Sequence, residues 1–172
     1  MKKSNRGKVD PFIVMDVMEK ARLEEAKGRR VIHMEVGQPS TPAPKGAIKE
    51  LSRKLGVDAL GYTVALGLPK LRQKISDLYQ KWYNIDLNPD RVIVTSGSSG
   101  AFLLSFTALF DQGARVGIAA PGYPSYRQIM KSLDIEPVII KATSEDGFQL
   151  TENSIRQQQL DGVLIASPAN PT

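Results

Sequence analysis

The stretch RVIVTSGSSGAFLLSFTALFDQGARVGIAA, Arg91 to Ala120, reads as a β-branched strand, a small-residue turn, an apolar helix and a second strand. The residues beyond it repeat that alternation. Strands are expected at Arg91 to Thr95, Arg115 to Ala119, Pro137 to Lys141 and Gly162 to Ala166. Helices are expected between them at Ser99 to Phe110, Ser125 to Leu133 and Thr151 to Gln159. Four strands separated by helices are joined most economically as a mainly parallel sheet with right-handed crossovers. The expected fold class is therefore α/β, a parallel sheet flanked by helices. In such sheets ligands lie beyond the carboxyl ends of the strands, which directs attention to residues 96–100, 120–125 and 167–172.

Working outward toward the N-terminus, Ile13, Val14, Val17, Met18 and Leu23 follow helical spacing within Pro11 to Gly28. Val31 to Val36 alternates enough to predict a short strand. Three prolines in the six residues Pro39 to Pro44 make the next segment irregular. A helix is expected at Gly46 to Leu55 and another at Leu68 to Tyr83. The latter opens on Pro69 and carries Leu71, Ile75, Leu78 and Trp82 at spacings of four, three and four.

Composition excludes several classes. The 172 residues are 41% hydrophobic, and with the 14 glycines the apolar share is that of a globular chain, not a disordered one. No run approaches the roughly 18 consecutive apolar residues of a membrane span. The net charge of +5 raises the question of a nucleic-acid partner. Lys2, Lys3, Arg6 and Lys8 account for most of it, and from position 9 onward 19 basic residues face 18 acidic ones. The basic character belongs to a short arm, so neither nucleic acid nor membrane is the expected partner, and the expected location is the cytoplasm. Zero cysteines remove disulfides, thiolate catalysis and cysteine-ligated metals. With His33 as the one histidine, no metal site is expected.

Three segments at the carboxyl ends of the expected strands carry candidate chemistry. In Ser96-Gly97-Ser98-Ser99-Gly100, small residues at a helix start let backbone N–H groups and hydroxyls converge on an anion, a phosphate above all. The same stretch also reads as an ordinary serine N-cap. Spelling excludes the dinucleotide, Walker and nucleophile-elbow motifs. In Pro121-Gly122-Tyr123-Pro124-Ser125-Tyr126 a ring is flanked by residues with little backbone freedom, suited to stacking on a flat cofactor or to packing over the strand ends. Asn170, in Pro168-Ala169-Asn170-Pro171, offers either a side-chain amide to a cofactor oxygen or an Asx turn. Tyr62, in the loop Gly61-Tyr62-Thr63, reads as a loop tyrosine or one projecting into a site.

Taken in order, these motifs make the chain resemble the class I/II pyridoxal-phosphate-dependent aminotransferases of fold type I, from about Val9 to Thr172. The matching stretches are Val36-Gly37-Gln38-Pro39, Gly61-Tyr62 with Gly67-Leu68-Pro69, Val94 to Ala101, Pro121 to Tyr126, and Ser167-Pro168-Ala169-Asn170-Pro171-Thr172. The resemblance implies the following roles. Gly97, Ser98 and Ser99 form the cup for the 5′-phosphate of pyridoxal 5′-phosphate. Tyr123 stacks on the pyridine face, and Asn170 bonds the cofactor's 3′-oxygen. Tyr62 reaches the phosphate of the neighbouring subunit of a homodimer. Gly37 lies in the loop over the substrate carboxylate. The implied reaction is amino-group transfer between an amino acid and a 2-oxo acid.

The departures are absences. None of the 13 lysines follows a serine, so the family's S-x-S-K segment with its Schiff-base lysine is missing. None of the ten aspartates has tyrosine three residues on, as the family's pyridine-nitrogen partner does. The arginine that holds the substrate carboxylate comes from the family's C-terminal domain. The catalytic lysine is thus absent, and the last residues run from a strand into a proline-rich loop. The expectation is an N-terminal fragment that does not transaminate alone: residues 1–45 as basic arm, amphipathic helix and substrate loop, and residues 46–172 as the first portion of the cofactor-binding large domain. Other activities of the same fold remain open, a carbon–sulfur lyase or an aminocyclopropane carboxylate synthase relative among them. So does a short pseudoenzyme that binds a phosphate ligand or a partner subunit.

Overall fold

In the computed structural model, which describes residues 4–172, the strand β1 (Arg115–Ala120) has parallel neighbours on both sides. They are β2 (Glu136–Lys141) and β3 (Gly162–Leu164), in the order β2-β1-β3, with Ile118 level with Ile139 on one side and Leu164 on the other. This sheet belongs to one of two compact units, built from the residues up to Ile32 together with Ser96–Thr172; His33–Thr95 form the other.

The position of β1 follows from its composition. Val116 and Ile118 point to one face and are buried, joining Phe106, Met130 and Ile135 in the core. The alternate residue Gly117 leaves the other face open to Leu160 and Ile140: a Cβ there would stand 2.8 Å from the Leu160 side chain. Phe106 comes from α4 (Gly97–Leu109), and Met130 from α5 (Pro124–Ser132), which connects β1 to β2. The return crossing to β3 contains only a five-residue helix, α6 (Glu152–Arg156), opened by a capping box between Thr151 and Ser154.

The expected helix over Thr151 to Gln159 is thus shorter than its sequence pattern. The chain has to turn into the sheet by Asp161, whose N–H donates to the Arg115 carbonyl and whose carboxylate accepts the Arg115 N–H, both at 2.8 Å. The expected strand to Ala166 stops at Leu164, where its pairing with β1 ends.

Two expected strands are absent. Val31 to Val36 has no ladder, and its Ile32 and Met34 are 74% and 88% exposed. Arg91 to Thr95 begins in a 3-10 turn (Pro89–Arg91), and its Val94 N–H donates to the Leu66 carbonyl without forming a ladder. β-branched residues favour extended backbone, but a strand also needs a neighbour to accept and donate. No strand among the described residues lies beside either segment, and the sheet has three strands instead of four.

In the unit His33–Thr95, α2 (Lys45–Lys54) and α3 (Pro69–Tyr83) lie where the spacing predicts helices. Pro69 opens α3, and Asn84 closes it in the left-handed region. The predicted apolar stripe is not the buried side of α3: Leu71, Leu78 and Trp82 are exposed, whereas Arg72 and Ser76 are buried. Arg72 donates to the carbonyls of Pro89 and Val92 and pairs with Asp90 at 2.9 Å, and Ser76 donates to the Leu87 carbonyl. These polar bonds tie the helix to the 87–92 loop. Gly67 is obligatory beside it: with φ at +98°, its Cβ would stand 2.5 Å from a Val94 methyl. Among the described residues no helix is long and apolar enough to cross a membrane.

Candidate active site

The helix α4 runs against the strands. Near its C-terminus, Phe110 packs where a Cβ on Gly162, the first residue of β3, would meet its ring at 2.6 Å. Near its N-terminus, Phe102 meets Tyr126, which follows the end of β1, at 4.8 Å between ring centroids. The first turn of α4 therefore lies at the carboxyl end of the sheet. That turn is Gly97-Ser98-Ser99, entered through Gly97 at φ +74°. Ser96 occupies the N-cap but makes no side-chain cap bond, and no acid lies in the first turn. The ordinary serine cap is therefore not formed. The opening N–H groups of a helix have no intrahelical acceptor, and here they sit with the Ser98 and Ser99 hydroxyls on an exposed surface carrying the positive end of the helix dipole.

Tyr123 stands at the N-cap of α5, directly after the Pro121-Gly122 turn that leaves β1. Gly122 permits that turn, since a Cβ there would lie 2.6 Å from the Ala119 carbonyl oxygen. The Tyr123 ring is half-buried and has two near-perpendicular ring neighbours, Phe12 at 6.2 Å and Tyr126 at 5.4 Å. Tyr126 lines a shallow cleft, together with Ala119, Gly122, Leu150, Ala166 and Asn170. Tyr126 is the one ionisable side chain among the residues of that cleft. Asn170 is an exposed residue in the bend after β3.

Gly97, Ser98 and Ser99 in the first turn of α4, Tyr123 at the N-cap of α5 and Asn170 in the bend after β3 thus all belong to one end of one sheet. Tyr62 and Gly37 fall in the other unit, where Tyr62 is fully exposed, and a Cβ placed on Gly37 or on Gly61 would meet no heavy atom within 4 Å. In the segment before Gly37, the His33 ring bonds Glu35 at 2.6 Å and holds that carboxyl below its usual range.

Sequence reasoning did not single out Phe12 or Phe102, and it gave Tyr126 no role of its own. The spacing of Tyr123 and Tyr126, three apart on a helix start, was the available signal for the second tyrosine. Phe12 had none, because its contact spans more than a hundred residues.

Phe12 is delivered by the N-terminal segment, which is clasped to α5. Lys131 pairs with the Asp10 carboxylate at 2.7 Å, the Gln128 amide donates to the carbonyls of Asp10 and Pro11, and Arg6 pairs with Asp134 at 2.7 Å. The hydrogen bond and charge of Lys131, aided by Arg127, hold the Asp10 carboxyl below the ordinary value of 3.8. A carboxyl lowered on folding contributes stability above its ordinary pKa and loses that contribution as pH falls through the lowered value. The Asp10 carboxyl carbon, followed by NMR, is expected to titrate below 3.8 and to move toward it in Lys131→Gln. A midpoint unmoved by that substitution would refute the clasp.

Comparison with known proteins places these features in context. The family model "Aminotransferase class I and II" matches residues 29–172. A valine–pyruvate aminotransferase of Mycobacterium tuberculosis is 43% identical over 169 residues, which is 97% of this chain and 44% of that protein. The crystal structure of an aminotransferase from the same organism superposes with a TM-score of 0.94 at 42% identity, covering the whole chain and 45% of its own. A crystal structure of a Silicibacter pomeroyi protein is 55% identical, with a TM-score of 0.88 over the whole chain and 44% of its own. The chain spans less than half the length of each of these relatives.

Proposed function

The chain belongs to the aminotransferase class I and II family, and from that premise we propose that the protein carrying it transfers an amino group between an amino acid and a 2-oxo acid, with pyridoxal 5′-phosphate as cofactor. The observation that carries this reading is the first turn of α4, uncapped by the Ser96 side chain and with no acid, at the same sheet end as Tyr123 and Asn170. The donor set fits the group: backbone N–H groups and neutral hydroxyls suit a phosphate dianion, an aromatic face suits a pyridine ring, and an amide suits a phenolic oxygen.

In this reading Gly97, Ser98 and Ser99 hold the phosphate, and Gly97 is glycine because the backbone there has positive φ. Tyr123 stacks on the ring, and the Asn170 amide donates to its 3′-oxygen. Tyr62, with its ring fully exposed, reaches the phosphate of a second subunit, and Gly37 lies beside the substrate carboxylate. The chemistry supplied by the bound cofactor is that of a reactive aldehyde joined to an electron-withdrawing ring. The work of these residues is to bind and orient that ring, so that the groups that move protons meet a fixed face. Residues 46–172 are then the first portion of the cofactor-binding domain, and residues 1–45 carry the arm, the first helix and the substrate loop.

The name of the Mycobacterium relative makes valine and pyruvate the first pair to assay. The intact protein, loaded with pyridoxal 5′-phosphate, is expected to form alanine from pyruvate at the expense of valine or another amino acid. Release of ammonia or sulfide from the amino acid, with no 2-oxo acid aminated, would replace the transaminase reading with a lyase.

A further inference from the structure

The cofactor reading gives Tyr123 a task but leaves open what fixes its ring. The Tyr123 side chain makes no cap bond on α5, so its orientation rests on its neighbours. Two rings stand nearly perpendicular to it, Tyr126 at 77° and Phe12 at 89°. Tyr126 leans in turn on Phe102, and Phe102 on Phe106 of the buried core. Through Tyr126, the Tyr123 ring is linked to the hydrophobic core.

The second ring contact is with Phe12, which is the N-cap residue of α1 (Ile13–Ala26) and the last residue of the N-terminal arm. The arm holds α5 at three places along its length: Gln128, Lys131 and Asp134 just past its end. Asp10 and Pro11, the residues immediately before Phe12, receive two of these contacts. A ring pinned so close to its clasp has little freedom to leave Tyr123. The Tyr123 ring thus has one aromatic neighbour tied to the core and one tied to the arm.

We propose that Phe12 is a positioning residue, held by the arm's clasp on α5, that fixes the plane of the Tyr123 ring for stacking on a flat cofactor. The inference rests on the reading of Tyr123 as the stacking residue. An edge-on aromatic pair contributes a modest free energy beyond its buried area, so its loss translates to a several-fold change in affinity.

The test uses the intact holoprotein and two readouts, the circular dichroism induced in the bound cofactor and the cofactor's dissociation constant, with the thermal midpoint confirming a folded sample. Phe12→Ala is expected to reduce the induced dichroism and to weaken cofactor binding by about three- to ten-fold, and Phe12→Tyr to restore both. Should Phe12→Ala fail to fold, Asp10→Asn, which keeps the ring and breaks the clasp, is expected to move both readouts in the same direction. Wild-type values in the folded variant of the two, alongside altered values in Tyr123→Ala, would overturn the role of Phe12 and leave the stacking reading intact. Wild-type values in Tyr123→Ala would overturn the stacking reading and the positioning role with it.

Discussion

A polypeptide of these 172 residues, mixed with pyridoxal 5′-phosphate, an amino acid and a 2-oxo acid, is expected to give no sustained amino transfer above the rate of the free cofactor. The cleft at the carboxyl end of the sheet contains residues suited to binding and none suited to moving a proton at a substrate carbon. Its one ionisable side chain is Tyr126, whose ring is engaged edge-on by Phe102 and Tyr123. None of the 13 lysines follows a serine as the family's catalytic lysine does. Lys70, in the first turn of α3, belongs to the other unit. A positioned general acid or base contributes roughly 10² to 10⁴ in rate, so the shortfall against a family enzyme that has its catalytic lysine is expected to be at least about a hundred-fold. Continuous 2-oxo acid production over many turnovers, measured by a coupled dehydrogenase assay against a blank of free cofactor, would defeat the expectation.

The parts of this molecule that were legible from sequence are those whose cause is local. α3 and α4 begin within two residues of their expected starts because a proline at the first position and a run of small residues leave little choice. β1 and β2 were legible because their apolar runs are short and bounded by turns. The segments Val31 to Val36 and Arg91 to Thr95 are also rich in β-branched residues but have no adjacent strand, and composition alone does not supply a partner. The buried side of α3 departs from its apolar stripe because Arg72 is buried by three carbonyl and carboxylate contacts that no hydrophobic periodicity encodes. At the candidate site, the Ser96-Gly97-Ser98-Ser99 turn and the Tyr123 and Asn170 loops were visible as spelling. The aromatic chain from Phe12 to Phe106 was not, since it joins three separate parts of the sequence.

The largest effect of a single substitution at the site is expected from Ser99→Asp. The third residue of α4 is where an acid ordinarily helps a helix, because its carboxylate meets the positive end of the dipole. The variant should therefore fold at least as stably as the parent protein, by up to about 1 kcal/mol. The same carboxylate occupies and neutralises the place where a phosphate would bind. Loss of charge-assisted hydrogen bonds, each worth about 1.5 to 3 kcal/mol, corresponds to cofactor binding weakened by roughly a hundred-fold. Stability and affinity thus move in opposite directions, which no general loosening of the fold would produce.

The measurement that bears most directly on the site is a paired titration of the intact protein and Ser99→Asp with pyridoxal 5′-phosphate and with pyridoxal, which lacks the phosphate. If the first turn of α4 holds the phosphate, the substitution weakens binding of the phosphorylated cofactor by roughly a hundred-fold and leaves pyridoxal binding close to that of the parent. Equal affinity of both proteins for pyridoxal 5′-phosphate would contradict the assignment and place the anion elsewhere.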